Sequence, residues 1–134
     1  MVDEKKIKIL FIDDDKATNF LNRHIAKRCD DIDSIDLMHS GFEAITFLKD
    51  CLIDTEKKPN LIFLDINMPA MNGWEFLEEF YLLNEDLVKE IKIVILSSSD
   101  DPKDLNKYEN NKKLKGFLRK PLNAKLLHSV LHKV

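Results

Sequence analysis

Leu61-Ile62-Phe63-Leu64-Asp65-Ile66-Asn67-Met68-Pro69 is the stretch on which the fold turns. Four consecutive apolar residues, bounded by loop formers, suit a short strand covered on both faces. The run stops at a lone carboxylate, Asp65, before a Met-Pro loop, and packing alone gives no reason to end it on an isolated acid. Two other runs share this form: Lys8 to Ile12 ends in Asp13-Asp14-Asp15, and Ile91 to Leu96 ends in Ser97-Ser98-Ser99.

Between these runs the spacing turns helical. After the first run, Ala17, Phe20, Leu21, His24 and Ile25 share one helix side; Phe42 to Ile53 places Ile45, Leu48 and Leu52 at helical intervals. Asn72-Gly73 can cap a helix from Trp74 to about Leu87, and Asp101-Pro102 opens a weaker one to about Lys113. Ser34 to Met38 and Lys115 to Arg119 complete the strands, and Leu122, Leu126, Val130 and Leu131 give the last helix its apolar face. Five strands alternate with five helices, which predicts an α/β fold with both faces of a parallel sheet covered. Right-handed crossovers leave few arrangements, and the flavodoxin-like (βα)5 doubly wound sandwich, strand order 2-1-3-4-5, is the expected one. Its switch point lies between strands 1 and 3, beyond their carboxyl ends.

The 134 residues suit one domain over residues 1–134. The net charge of −3 hides an acidic middle and a basic last third. Residues 30–90 carry 15 acids against 4 bases, and residues 91–134 carry 10 bases against 4 acids. The apolar runs stop far short of the ~20 residues of a membrane span, and residues 1–6 lead into no signal-peptide stretch. Cys29 and Cys51 form no CxxC pair and read as reduced thiols of a cytoplasmic protein.

The residues that follow the strands then gather at one edge: Asp13 and Asp14, Asp65, Ser97 and Lys120. Clustered carboxylates raise one another's pKa unless a cation offsets them. Oxygen donors without His or Cys suit a hard divalent ion, Mg²⁺. Such an ion together with Lys120 would let the site receive a phosphoryl group, and Asp65 is the candidate acceptor.

In this order the motifs resemble response-regulator receiver domains of the CheY-like superfamily, the phosphoacceptors of two-component signalling. Ile12-Asp13-Asp14-Asp15 resembles the family's acidic pair, Leu61 to Pro69 with Met71-Asn72-Gly73 its phosphoacceptor segment, Ile93 to Ser98 its switch strand, and Gly116-Phe117-Leu118-Arg119-Lys120-Pro121 the strand that delivers its lysine and a cis Lys-Pro bond. The resemblance runs from about Lys6 to Val134. It implies that Asp65 takes a phosphoryl group from a phosphohistidine, that Asp14, Asp65 and the backbone carbonyl of Asn67 ligate Mg²⁺, and that Asp13 acts through water or hydrogen bonds. Lys120 and Ser97 would hold phosphate oxygens, and Phe117 matches the switch aromatic, with Phe in place of a Tyr hydroxyl. The implied partners are a sensor histidine kinase or histidine phosphotransfer protein and a downstream protein that reads the fourth helix, fifth strand and fifth helix, a surface that also allows a phosphorylation-dependent dimer. Neither membrane nor nucleic acid is an expected partner, and no output domain is expected after the fifth helix.

Plainer readings stand beside these. Asp13-Asp14-Asp15 also suits helix capping, with Asp15 the natural cap. His128 and His132, four apart, read as exposed helix-end residues rather than ligands. Trp74, Phe76, Leu77 and Phe80 read as packing, and Lys112, Lys113 and Lys115 as a solvated face, with an acidic partner or nucleic acid as alternatives. A receiver excised from a larger regulator fits equally. A Mg²⁺-dependent phosphohydrolase with an Asp nucleophile fits less well, because the acid it needs two residues on is Asn67.

Overall fold

The structure, a computed structural model, describes residues 6–133; residues 1–5, read above as free of a signal peptide, and Val134 lie outside it. Five strands, β1 (Ile7–Ile12), β2 (Ile32–Met38), β3 (Leu61–Leu64), β4 (Lys92–Ser97) and β5 (Gly116–Arg119), form one parallel sheet in the order β2-β1-β3-β4-β5. The helices are α1 (Lys16–Ala26), α2 (Gly41–Asp50), α3 (Gly73–Tyr81), α4 (Glu85–Glu90), α5 (Pro102–Glu109) and α6 (Ala124–Lys133).

Alternation along the central strands sorts the core into two layers. Ile9, Phe11, Leu61, Phe63, Val94 and Leu96 face α1 and α6, where Ala26, Leu127, Val130 and Leu131 meet them. Phe11 and Phe63, paired across β1 and β3, stack with ring centroids 5.1 Å apart. Leu10, Ile12, Ile62, Leu64, Ile93 and Ile95 face the other way, onto Leu48, Phe76, Leu77, Phe80 and Leu87. Each fully buried side chain of this size stabilises by about 1.5–3 kcal/mol. Among the described residues no helix is long and apolar enough to cross a membrane.

Three expectations need correction. The single helix from Trp74 to Leu87 is two: α3 ends at Tyr81, and Asn84 caps α4 by accepting from the Asp86 and Leu87 amides. The expected face of α1 is also turned. Phe20 and Leu21 are 67% and 59% exposed, while Asn19, Asn22 and Ala26 are buried. Hydrogen bonding explains the exchange at Asn19, whose Nδ2 donates to the carbonyls of Asp13 and Met38, both at 3.0 Å. One amide thus satisfies backbone acceptors at the ends of two strands.

The fourth helix of the sequence reading is α5. It stops at Glu109, short of Lys113, and buries none of its residues fully.

Candidate functional site

The loops after β1, β3 and β4 and the end of β5 converge at the carboxyl edge of the sheet. Asp13 follows β1 and is 3% exposed. Its amide donates to Met38 O at 3.1 Å, and its Oδ1 accepts from the Asp15 amide at 2.9 Å. Asp15 caps α1, accepting from the amides of Ala17 and Thr18, and these bonds hold its carboxyl below the usual range.

Asp65 continues β3 by donating its amide to Ile12 O at 2.9 Å, and it is 4% exposed. Carboxylate oxygens of Asp13, Asp14 and Asp65 lie within 4.8 Å of one another, with Asp14 the exposed member. Burial, and then the charge of Asp13, push the Asp65 pKa up to about 6 against the pull of Lys120.

Lys120 reaches in from β5, with Nζ 2.6 Å from Asp13 Oδ2 and 3.4 Å from Asp65 Oδ1. Burial works against its charge, yet the bond to Asp13 and the field of Asp65 hold its pKa above the ordinary value. The Lys120–Pro121 peptide is cis.

Ser97 ends β4, fully buried, and its Oγ accepts from the Ser99 amide at 3.1 Å. The Lys120 amide donates to Ser97 O at 3.0 Å, joining the ends of β4 and β5. Phe117 is half-buried, its ring 5.5 Å from that of Tyr108 on α5. Asn67 lies exposed in the loop after Asp65. The structure therefore brings Asp13, Asp14, Asp65 and Lys120 together and sets Ser97 at the end of the adjacent strand.

Sequence reasoning missed what three positions do in the fold, although it had read Gly73 within a helix cap and Trp74 as packing. Gly73 opens α3 against the Asp65 backbone, where a Cβ would stand 2.6 Å from Asp65 O. Asn19 is the second, and its position on a helical face gave no sign of burial. The third is Trp74, read as packing, whose indole N–H donates to Asp104 Oδ1 at 2.8 Å.

A parallel sheet in the order 2-1-3-4-5, with an acidic cluster and a half-buried lysine at its switch point, defines the receiver class of signalling domains. The chain belongs to the response regulator receiver domain family, whose model matches residues 9–132. It is 33% identical over 98 residues to response regulator Rcp1 of Synechocystis, covering 72% of this chain and 65% of that protein. With Protein PilG of Pseudomonas aeruginosa the identity is 31% over 96 residues, covering 70% of this chain and 62% of PilG. The matches thus span slightly less than two thirds of both relatives. A crystal structure of a two-component response regulator from Cytophaga hutchinsonii superposes with a TM-score of 0.86 at 35% identity, covering 96% of this chain and 97% of that one. The Mn(2+)-bound form of Rcp1 superposes with a TM-score of 0.71 at 32% identity, covering 94% of this chain and 90% of that one.

Proposed function

We propose that this chain is the phosphoacceptor of a two-component phosphorelay, with Asp65 taking a phosphoryl group from a phosphohistidine. The carrying observation is the Lys120 ammonium, 2.6 Å from Asp13 and 3.4 Å from Asp65, beside three clustered carboxylates. An Asp65 oxygen attacks phosphorus, the phosphorus–nitrogen bond breaks, and the donor imidazole leaves with the bonding electrons; Asp65 becomes an acyl phosphate.

Lys120 pairs with a phosphoryl oxygen. Ser97 already accepts the Ser99 amide on one lone pair, so its single hydrogen is left to donate to another. The donor set suits Mg²⁺: Asp14, Asp65 and the Asn67 carbonyl would hold it directly, with Asp13 acting through water or hydrogen bonds. When bound, the ion offsets the charge of the carboxylates and of the incoming phosphoryl group. The Mn(2+)-bound form of Rcp1 supports a divalent site in this fold.

Phosphorylation adds close to two negative charges and three acceptor oxygens at Asp65. Bonds from Ser97 and Lys120 to those oxygens draw on the ends of β4 and β5, biasing Phe117 and the α5–β5–α6 surface between two states. On this reading residues 1–134 are one cytoplasmic receiver unit. It is charged by a histidine kinase or phosphotransfer protein and read by a downstream protein, without steady turnover of its own.

Incubation with Mg²⁺ and acetyl phosphate followed by intact-mass measurement tests the reading. One phosphoryl group is expected on the wild type and none on Asp65→Ala. An unmodified wild type, or an adduct that persists in Asp65→Ala, overturns it.

A further inference from the structure

Ser97 is the first link of a hydrogen-bonded chain that runs out of the acidic site. The Ser99 amide donates to Ser97 Oγ at 3.1 Å, and the Ser99 hydroxyl donates to Asp104 Oδ2 at 2.5 Å. The other oxygen of Asp104 accepts the Trp74 indole N–H at 2.8 Å. The Asp101 amide donates to Ser99 Oγ at 3.2 Å, so that hydroxyl both donates and accepts.

Trp74 is held from α5 at two points one helical turn apart. Asp104 takes its N–H, and the Lys107 ammonium sits 5.6 Å from the ring centroid. Behind this clasp α3 and α5 border a cavity of about 390 Å³, with Trp74, Leu77 and Tyr81 on one wall and Asn106, Lys107 and Asn110 on the other. Because α5 buries none of its residues fully, contacts of this kind weigh heavily in fixing its position.

We propose that Asp104 is a positioning residue that couples Ser97 to Trp74. Through Ser99 it holds the Ser97 hydroxyl in its resting place, and recruitment of Ser97 by a phosphoryl group releases the indole and frees α5 from α3. The inference rests on the phosphoacceptor reading and adds to it a route through α3 that is separate from the Phe117–Tyr108 contact.

Trp74 is the only tryptophan in the chain, so emission reports this joint alone. The wild type, Ser99→Ala and Asp104→Ala are each loaded with Mg²⁺ and beryllofluoride, emission is recorded, and acetyl-phosphate uptake is followed by mass in parallel. Loading is expected to change Trp74 emission in the wild type. Both variants lose most of that response while still taking up one phosphoryl group, which sets coupling apart from a general loss of structure. Wild-type protein that loads with unchanged emission, or variants that respond like the wild type, overturns the coupling alone. Variants that take up no phosphoryl group also overturn it, since Asp104 then acts on the acceptor chemistry and not through Trp74. A wild type that takes up no phosphoryl group overturns the phosphoacceptor reading, and the coupling falls with it.

Discussion

Lys120 is docked on Asp13, with Nζ 2.6 Å from Oδ2, and stands farther, at 3.4 Å, from the Asp65 oxygen it would serve. The buried neighbour thus anchors the ammonium, while burial, and then the charge of Asp13, push the pKa of the central carboxylate up to about 6.

Replacing Lys120 should expose that imbalance. Lys120→Met leaves Asp13 and Asp65 to repel each other without an intervening ammonium. Acetyl-phosphate uptake is expected to fall by about a hundredfold, the scale for losing one preorganised charge-stabilising donor. Mg²⁺ should raise the melting temperature of the variant more than that of the wild type, because the cation then replaces a missing charge. Equal Mg²⁺ shifts in the two proteins would contradict this account.

Gly73→Ala tests the approach of α3 to the acceptor. The added Cβ meets backbone atoms, Asp65 O at 2.6 Å and the Ile66 Cα at 2.9 Å, and neither can rotate away. Overpacking of this kind costs about 1–3 kcal/mol. Urea denaturation should show that loss together with slower phosphoryl uptake, and a variant as stable and as fast as the wild type would show that α3 shifts freely.

Asp36 gives a pH dependence remote from the acidic site. Burial raises its pKa above the ordinary carboxylate value of 3.8, with Lys57 and Arg23 opposing. The folded chain then binds more protons than the unfolded one in the window just above 3.8, so this group's contribution to stability declines as pH rises through it. Asp36→Asn removes the decline. Melting temperatures of the two proteins should lie close together at pH 3, with the variant above the wild type near neutrality; the reverse order at neutral pH would refute the sign.

The two cysteines should differ in reactivity. Cys51 is fully buried and burial pushes its thiol up, whereas Cys29 is only half-buried. A thiol reagent at neutral pH should modify Cys29 first and reach Cys51 only on unfolding. Equal rates in the folded protein would mean that the α2 end opens readily.

The sheet was legible because β1, β3 and β4 carry continuous apolar runs whose length excludes helices, and because their last residues change character abruptly to Asp13, Asp65 and Ser97. Those same boundaries placed the site. Hydrophobic spacing served less well wherever hydrogen bonds decided burial. Phe20 and Leu21 suggested the wrong face of α1 because Asn19 is held inside by two carbonyls, which no periodicity encodes. The break between α3 and α4 was hidden because Leu77, Phe80 and Leu87 keep helical spacing across it, although Asn84 followed by Glu85-Asp86 is a recognisable cap. Trp74 looked like packing because its indole partner, Asp104, lies 30 residues on.

The Asn19 amide has a further consequence for the outer strand. No residue of β2 is fully buried, so side-chain packing alone specifies its alignment weakly. The Asn19 Nδ2 and the Asp13 amide both terminate on the Met38 carbonyl, at 3.0 and 3.1 Å. They act as an address read at one atom: a strand slipped by one residue would present a different carbonyl to both donors at once. Assembly of the acidic edge and proofreading of the outermost strand are thereby a single event, completed when Met38 arrives.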